Sequence, residues 1–365
     1  MKTVKIKIVD CTGIILKQME QVVSLLSKHY RVEFSENPDF LFYSVFGNDF
    51  RNYKNCVKVF ITGENVSPNF NECDYAVGFD PLDFGDRYLR YYHAWDILTQ
   101  DMLHRENLPI ELSQRKFCNF IYSNGSHGEG PAIRQEFCRK LMEYKHVDCP
   151  GKVLHNLDNA IEPRDGNWEQ GKLDFISDYK FTIAFENSRT AGYTTEKLVQ
   201  PFAARSVPVY WGNPDVIKDF NPQAFINCND YDNDFDKVIE RIIELDNDDE
   251  KYMEMLRQPV VHPSFDLNGR ETFENFLLNI IEKGNRPFNK DPLHFNDFLR
   301  QVSENKYYEL QTQLKDYTGN WLVRLGHFLY HRETTLTGTK YYIFNTKIWK
   351  NKKRRLIYPN VDRLS

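Results

Sequence analysis

Three groups of residues in this chain have types and spacing suited to chemistry on a phosphorylated, hydroxyl-rich ligand. The first is Glu196-Lys197, directly after Thr194 and Thr195. Threonine at that place caps a helix, so Lys197 falls in a first helical turn. The free N–H groups and positive dipole end there attract an anion and disfavour a cation. A lysine in that turn therefore suggests that an anion occupies the site. Glu196 beside it is placed to accept hydrogen bonds from sugar or ribose hydroxyls. Alone, the Thr-Glu-Lys run is better explained by a capped helix with a solvated Glu-Lys pair. Its neighbours shift the balance. Glu186, Asn187 and Ser188 follow the apolar run 181–185, a loop with Gly192 and Tyr193 leads to the cap, and a second apolar run, 207–211, ends at Gly212. This reads as strand, loop, helix, strand, with polar groups where parallel sheets bind ligands.

The second group centres on Arg134, in the first turn of a helix over 132–144 that follows a glycine-rich loop, residues 123–131. A cation is again misplaced there unless an anion is bound. The third is Glu64, just past the apolar run 57–61 and beside Gly63. An α/β sheet puts functional groups at that place, although from position alone a plain turn residue is the better explanation.

Regular elements must position these groups. Apolar runs at 4–9, 32–34, 40–46, 57–61 and 75–79 read as strands, and 14–30 has helical spacing. That alternation predicts a small doubly wound α/β domain. The segment 80–90 reads as a salt-bridged loop, and Tyr91, Tyr92 and Trp95 as an aromatic cluster more often used for packing than for sugar stacking. A linker is placed at 101–115. A second strand series starts at 116–122, with 160–171 irregular and a strand at 225–228. Helices follow at 238–245, 250–257 and 270–283, the first capped by the aspartates within 231–236. Further amphipathic helices are read at 294–314 and 321–331.

The composition fits a globular chain of more than one domain: 365 residues, 41% hydrophobic, 27% charged,. A net charge of −5 excludes a general nucleic-acid binder,. Seven dispersed cysteines without a CxxC pair read as reduced thiols, not a disulfide framework or zinc site,. No signal-peptide or membrane-spanning run is evident, so the expected location is cytoplasmic. The stretch from Lys340 to Tyr358 has no acidic residue and mixes aromatics with Lys352, Lys353, Arg354 and Arg355. It is expected to sit peripherally on the anionic inner face of a membrane.

FENS, GYTTEK and VPVYWG together resemble the signature of the α1,3/4-fucosyltransferase family in its bacterial form. The resemblance runs upstream through TGENVSPNF (62–70), DYAVGFDPLDFGDRYLR (74–90) and KFCNFIYSNG with Arg134, and covers roughly 59–230. It implies a GT-B plan, with two Rossmann-like domains facing across a cleft. Residues 1–112 would hold the acceptor and 113–290 GDP-fucose, with C-terminal helices and the basic tail in 291–365. It implies inverting transfer of L-fucose from GDP-β-L-fucose to the GlcNAc of an N-acetyllactosamine-type glycan, giving a Lewis x-like product. Glu64 would be the general base. Arg134, Glu186, Asn187, Ser188, Tyr193, Glu196, Lys197 and Asn124 would bind the donor, and Asn65, Ser67 and Asn69 would orient the acceptor. No cofactor or metal would be required, a divalent metal being at most stimulatory. The alternatives are a transferase of the same fold with another nucleotide-sugar or acceptor, and a non-catalytic, membrane-peripheral glycan-binding protein.

Overall fold

The structure, a computed structural model, describes residues 1–105, 111–126, 129–158, 168–288, 330–335, 338–343 and 346–352. The chain divides into two units, Met1–Asn289 and Lys290–Ser365. The first contains two parallel sheets.

The amino-terminal sheet is built from β1 (Thr3–Val9), β2 (Arg31–Phe34), β3 (Phe40–Tyr43), β4 (Val57–Ile61), β5 (Tyr75–Gly78) and β6 (Tyr88–Arg90). Their order is β2-β1-β3-β4-β5-β6, and every pairing is parallel. Helix α1 (Ile14–Ser27) crosses from β1 to β2 and buries Ile15, Met19, Val22 and Leu26 against the strands. The segment expected to be only a loop at 80–90 ends in β6, which hydrogen-bonds to β5. Its charges are largely tied down. Asp80 accepts from the Ser67 hydroxyl at 2.7 Å, and Arg87 covers the rings of Phe84 and Phe288.

The second sheet holds β7 (Lys116–Asn119), β8 (Val147–Asp148), β9 (Tyr179–Phe185), β10 (Val207–Trp211) and β11 (Ile226–Asn227), in the order β11-β10-β9-β7-β8, all parallel. Strand β9 is buried at every position. Alternation sends its residues to two cores. Phe181, Ile183 and Phe185 face one core with Phe137 and Leu141 of α2 (Gly130–Met142) and Ile242 of α5 (Phe235–Asp246). Ala184 faces another, with Leu198, Val199 and Phe202 of α4 (Glu196–Ala203). Asp234 caps α5 by accepting from Asp236 N. Helix α6 (Asp249–Leu256) follows.

Residues 168–171, expected to be irregular, begin helix α3 (Trp168–Ser177). Helix α7 (Gly269–Glu282) returns the chain to the first sheet. Its Phe273, Phe276, Leu277, Ile280 and Ile281 join the core of α1, and Phe273 stacks on Tyr91 with centroids 4.8 Å apart. Side chains of this size contribute roughly 2 kcal/mol each when fully buried.

In the second unit, β12 (Tyr330–Thr335), β13 (Gly338–Ile343) and β14 (Thr346–Lys352) form an antiparallel meander. Residues 330–331 are thus strand where the end of a helix was expected. The tail from Lys340 to Lys352 is strand, apart from 344–345, which lie outside the described residues. Threonine, tyrosine and isoleucine are frequent here and favour a pleated surface. The helix expected at 294–314 and the tail beyond 352 also lie outside the described residues. Among the described residues no helix is long and apolar enough to cross a membrane.

Candidate active site

In the second sheet the strand order reverses between β7 and β9, and it is at the carboxyl ends of such a reversal that open parallel sheets bind ligands,. Helix α2 begins there. Gly130 N donates to the Asn187 carbonyl at 3.0 Å. A Cβ on Gly130 would overlap the Glu186 carbonyl oxygen, so glycine is what lets the helix start this close. Four residues on, Arg134 is 0% exposed. Its guanidinium lies 4.0 Å over the ring of Tyr122, and it donates to Asn187 Oδ1 at 3.0 Å and to the Asn124 carbonyl. Its Nε is buried without a partner. Burial pulls its pKa down, opposed by the neighbouring Tyr122 and Glu186. Both named acceptors are neutral. A buried cation without a directly bonded carboxylate is costly, and an anionic ligand relieves that cost.

Helix α4 supplies the other charges. Thr195 caps it, its hydroxyl accepting from Lys197 N. Glu186, 0% exposed, accepts from Thr195 N and Thr195 Oγ1, each at 2.7 Å. Lys197 Nζ lies 3.4 Å from Glu186 Oε2 and 3.1 Å from Glu196 Oε1. Burial would raise the Glu196 pKa, but Lys197 and then Lys172 hold it down to about 2. Burial pushes Glu186 upward against Lys197. Burial alone would lower Lys197, but its two carboxylates hold it well above its ordinary value. Glu186 is fully buried and braces α4, and Lys197 is paired with two carboxylates, whereas the hydrogen-bond acceptors of Arg134 among the described residues are neutral. Tyr193 is 2% exposed and packs edge-on to Phe79 at 4.9 Å.

Glu64 comes from the first sheet. It follows β4 in a turn in which its N–H donates to Thr62 Oγ1 at 2.9 Å and its carbonyl accepts from Val66 N at 2.8 Å. Glu64 is half-buried, and its charge contributes to the raised pKa of Tyr193. Gly63 packs on the Tyr92 ring, and the Tyr92 hydroxyl donates to Glu196 Oε2 at 3.3 Å. Tyr92 thus adjoins both the residue before Glu64 and the charge cluster of α4. Further bonds cross between the two sheets. Asn65 Nδ2 donates to Ser188 Oγ and Thr190 Oγ1, and Trp95 Nε1 donates to the Thr194 carbonyl at 3.0 Å. Arg90 pairs with Asp219 and also reaches the Gly192 carbonyl.

Of the expected site residues, the structure brings Arg134, Asn124 and Asn187 into one hydrogen-bonded group, and Glu186, Glu196 and Lys197 into a second. Ser188 lies between the latter loop and Asn65. Asn65, Ser67 and Asn69 all have protein partners: the two loop hydroxyls, Asp80 and Glu72 respectively. Tyr122 was missed, although it ends the apolar run 116–122. Tyr92 was read only as packing, and its hydroxyl contact carries no sequence signal. Among the described residues, no cluster of His, Cys, Asp and Glu could hold a metal ion. All seven cysteines are free thiols.

The pattern of the α-(1,3)-fucosyltransferase FucT N-terminal domain matches residues 6–95, and that of the glycosyltransferase family 10 (fucosyltransferase) C-terminal region matches 112–258. α-(1,3)-Fucosyltransferase FucT of Helicobacter pylori is 32% identical over 289 residues, covering 68% of this chain and 57% of that protein. A putative fucosyltransferase of Acanthamoeba polyphaga mimivirus is 29% identical over 231 residues, 61% of this chain and 36% of that protein. This chain thus spans a little over half and about a third of these two relatives' lengths. A crystal structure of an α1,3-fucosyltransferase with GDP-fucose superposes with a TM-score of 0.59 at 28% identity, over 76% of this chain and 91% of that one. The chain belongs to glycosyltransferase family 10, the fucosyltransferases.

Proposed function

We propose that this protein is an inverting α1,3-fucosyltransferase that moves L-fucose from GDP-β-L-fucose to the GlcNAc of an N-acetyllactosamine-type glycan. The observation that carries this reading is Arg134, buried at the sheet's switch point with only neutral hydrogen-bond acceptors among the described residues. A nucleoside diphosphate supplies the anion that such a site lacks. GDP-fucose is the ligand named for the superposed α1,3-fucosyltransferase.

Glu64 takes the proton from the attacking acceptor hydroxyl. The C1–O bond to the GDP phosphate breaks as the new glycosidic bond forms, and the electron pair leaves with GDP. Arg134 and the amino-terminal ends of α2 and α4 stabilise that charge. Lys197 keeps its charge because Glu196 and Glu186 flank it. Glu196, ionised far below neutral pH, faces the positive character developing on the sugar. Neither step requires a metal. The basic stretch from Lys340 to Tyr358 is proposed to hold the enzyme on an anionic membrane surface, which a vesicle sedimentation assay with and without acidic lipid tests.

The transfer is tested by incubating the protein with GDP-fucose and N-acetyllactosamine and determining the linkage of the product by NMR. An α-fucosyl group on O3 of GlcNAc supports the reading. Loss of GDP-fucose to water alone contradicts it.

A further inference from the structure

We propose that Asn65 is a positioning residue that locks the turn carrying Glu64 onto the loop that holds Arg134. The inference rests on the fucosyl-transfer reading and adds to it a device that coordinates base and donor.

The two N–H bonds of the Asn65 amide both cross to the second sheet. Nδ2 lies 2.7 Å from Ser188 Oγ and 2.7 Å from Thr190 Oγ1. The residues that accept them belong to a loop with fixed neighbours. Asn187 accepts from Arg134 and, through its carbonyl, from the first residue of α2. Glu186 is held by Thr195 and Lys197. One five-residue stretch, 186–190, is therefore gripped by the anion-site cation on one side and by Asn65 on the other. An amide donating both hydrogens to two hydroxyls fixes its own plane. Each hydroxyl, having accepted, directs its own proton elsewhere.

On the first sheet the turn is stiff. Thr62 Oγ1 accepts from Glu64 N and donates to the Glu64 carbonyl at 3.2 Å, and that carbonyl also accepts from Val66 N. Glu64 and Asn65 therefore move together. A base must stand within about 2.6–3.2 Å of the proton it takes, and a misplacement of about 1 Å can cost about a hundredfold in rate. The paired hydrogen bonds are at an exposed residue, so they matter little for folding. The two sheets are held by Arg90 with Asp219 and by the aromatic core around Tyr92 and Trp95 whether or not Asn65 is present. A bond of that kind is suited to setting a position.

The test uses Asn65→Ala and the double variant Ser188→Ala/Thr190→Val. Each is expected to lower kcat by about ten- to a hundredfold, with melting temperature unchanged, because the displaced base pays the misplacement cost. In Asn65→Ala the affinity for GDP stays within twofold of wild type, ~2-fold being well under the tenfold of one 1.4 kcal/mol step. Combining all three substitutions is expected to be no worse than either alone, as for groups acting as one unit. Multiplicative losses, or full activity of Asn65→Ala, would overturn the proposal. Hydrogen exchange with GDP alone gives a readout independent of turnover. GDP should protect 62–66 as well as 186–197 in wild type, and only 186–197 in Asn65→Ala. Wild-type protection confined to 186–197 contradicts the lock while leaving the donor site standing. No protection anywhere contradicts the donor reading itself, and the lock falls with it.

Discussion

The guanidinium of Arg134 lies 4.0 Å over the ring of Tyr122, fully buried, with an unpaired Nε and no carboxylate among its named hydrogen-bond partners. Lysine cannot reproduce the planar fork or the stacking. Arg134→Lys is therefore expected to weaken GDP binding by about 2 kcal/mol, the value of a desolvated cation–π contact or one charge-assisted hydrogen bond. Calorimetric titration with GDP checks this, and an affinity equal to wild type would remove Arg134 from the donor site.

Gly130 sets how closely α2 approaches the loop of Glu186 and Asn187. Gly130→Ala forces the helix away, because its Cβ would meet backbone with no side-chain freedom to yield. The expected cost is about 3 kcal/mol, as for an overpacked core, together with loss of GDP affinity. Urea unfolding and GDP titration of the same variant measure both.

Arg90 and Asp219 form a two-bonded pair between the sheets, at 2.8 and 2.6 Å. Burial would lower the Arg90 pKa, but Asp219 raises it on balance. Asp219→Ala leaves a partly buried cation that keeps the Phe79 and Gly192 carbonyls but loses its carboxylate, at an expected cost of about 1–3 kcal/mol,. Removing both partners in Arg90→Leu/Asp219→Ala should cost less than Asp219→Ala alone. A double variant that is less stable than the single one would contradict a charge-driven penalty.

His93 links stability to pH. Burial holds its pKa down to about 4, against the pull of Glu169 and Glu196 and with a smaller downward push from Lys17. In the unfolded chain it titrates near 6.5. Between those values the unfolded state carries a proton that the folded state does not. The stabilisation is therefore complete above 6.5 and is lost as pH falls toward 4, by up to about 3 kcal/mol. His93→Gln should lose less stability than wild type between pH 6.5 and 4.5 in urea titrations. Parallel losses would place the titration elsewhere.

Much of the fold was legible because short apolar runs bounded by Gly, Asn and Asp mark strands whatever they pack on. The runs at 57–61 and 207–211 match β4 and β10 residue for residue. The position of Glu64 followed, since a polar residue after a buried strand stands at a sheet edge. The burial of Glu186 did not follow. It depends on Thr195, nine residues later, folding back to donate twice, and no local pattern encodes that. The pairing of Lys197 with two carboxylates was hidden for the same reason. Tyr88–Arg90 is too short and too charged to show a strand pattern; pairing with β5 makes it one. The packing of α7 on the first sheet is a long-range choice that its apolar face permits but does not specify.

The decisive measurement is acceptor-dependent GDP release from GDP-fucose, with N-acetyllactosamine, by wild type and by Glu64→Gln. Wild type is expected to turn over and the variant to lose about a hundredfold or more, the contribution of a positioned base, with GDP still bound. Turnover that survives in Glu64→Gln would move the base elsewhere, and a wild type that neither releases nor binds GDP would contradict fucosyl transfer by this protein.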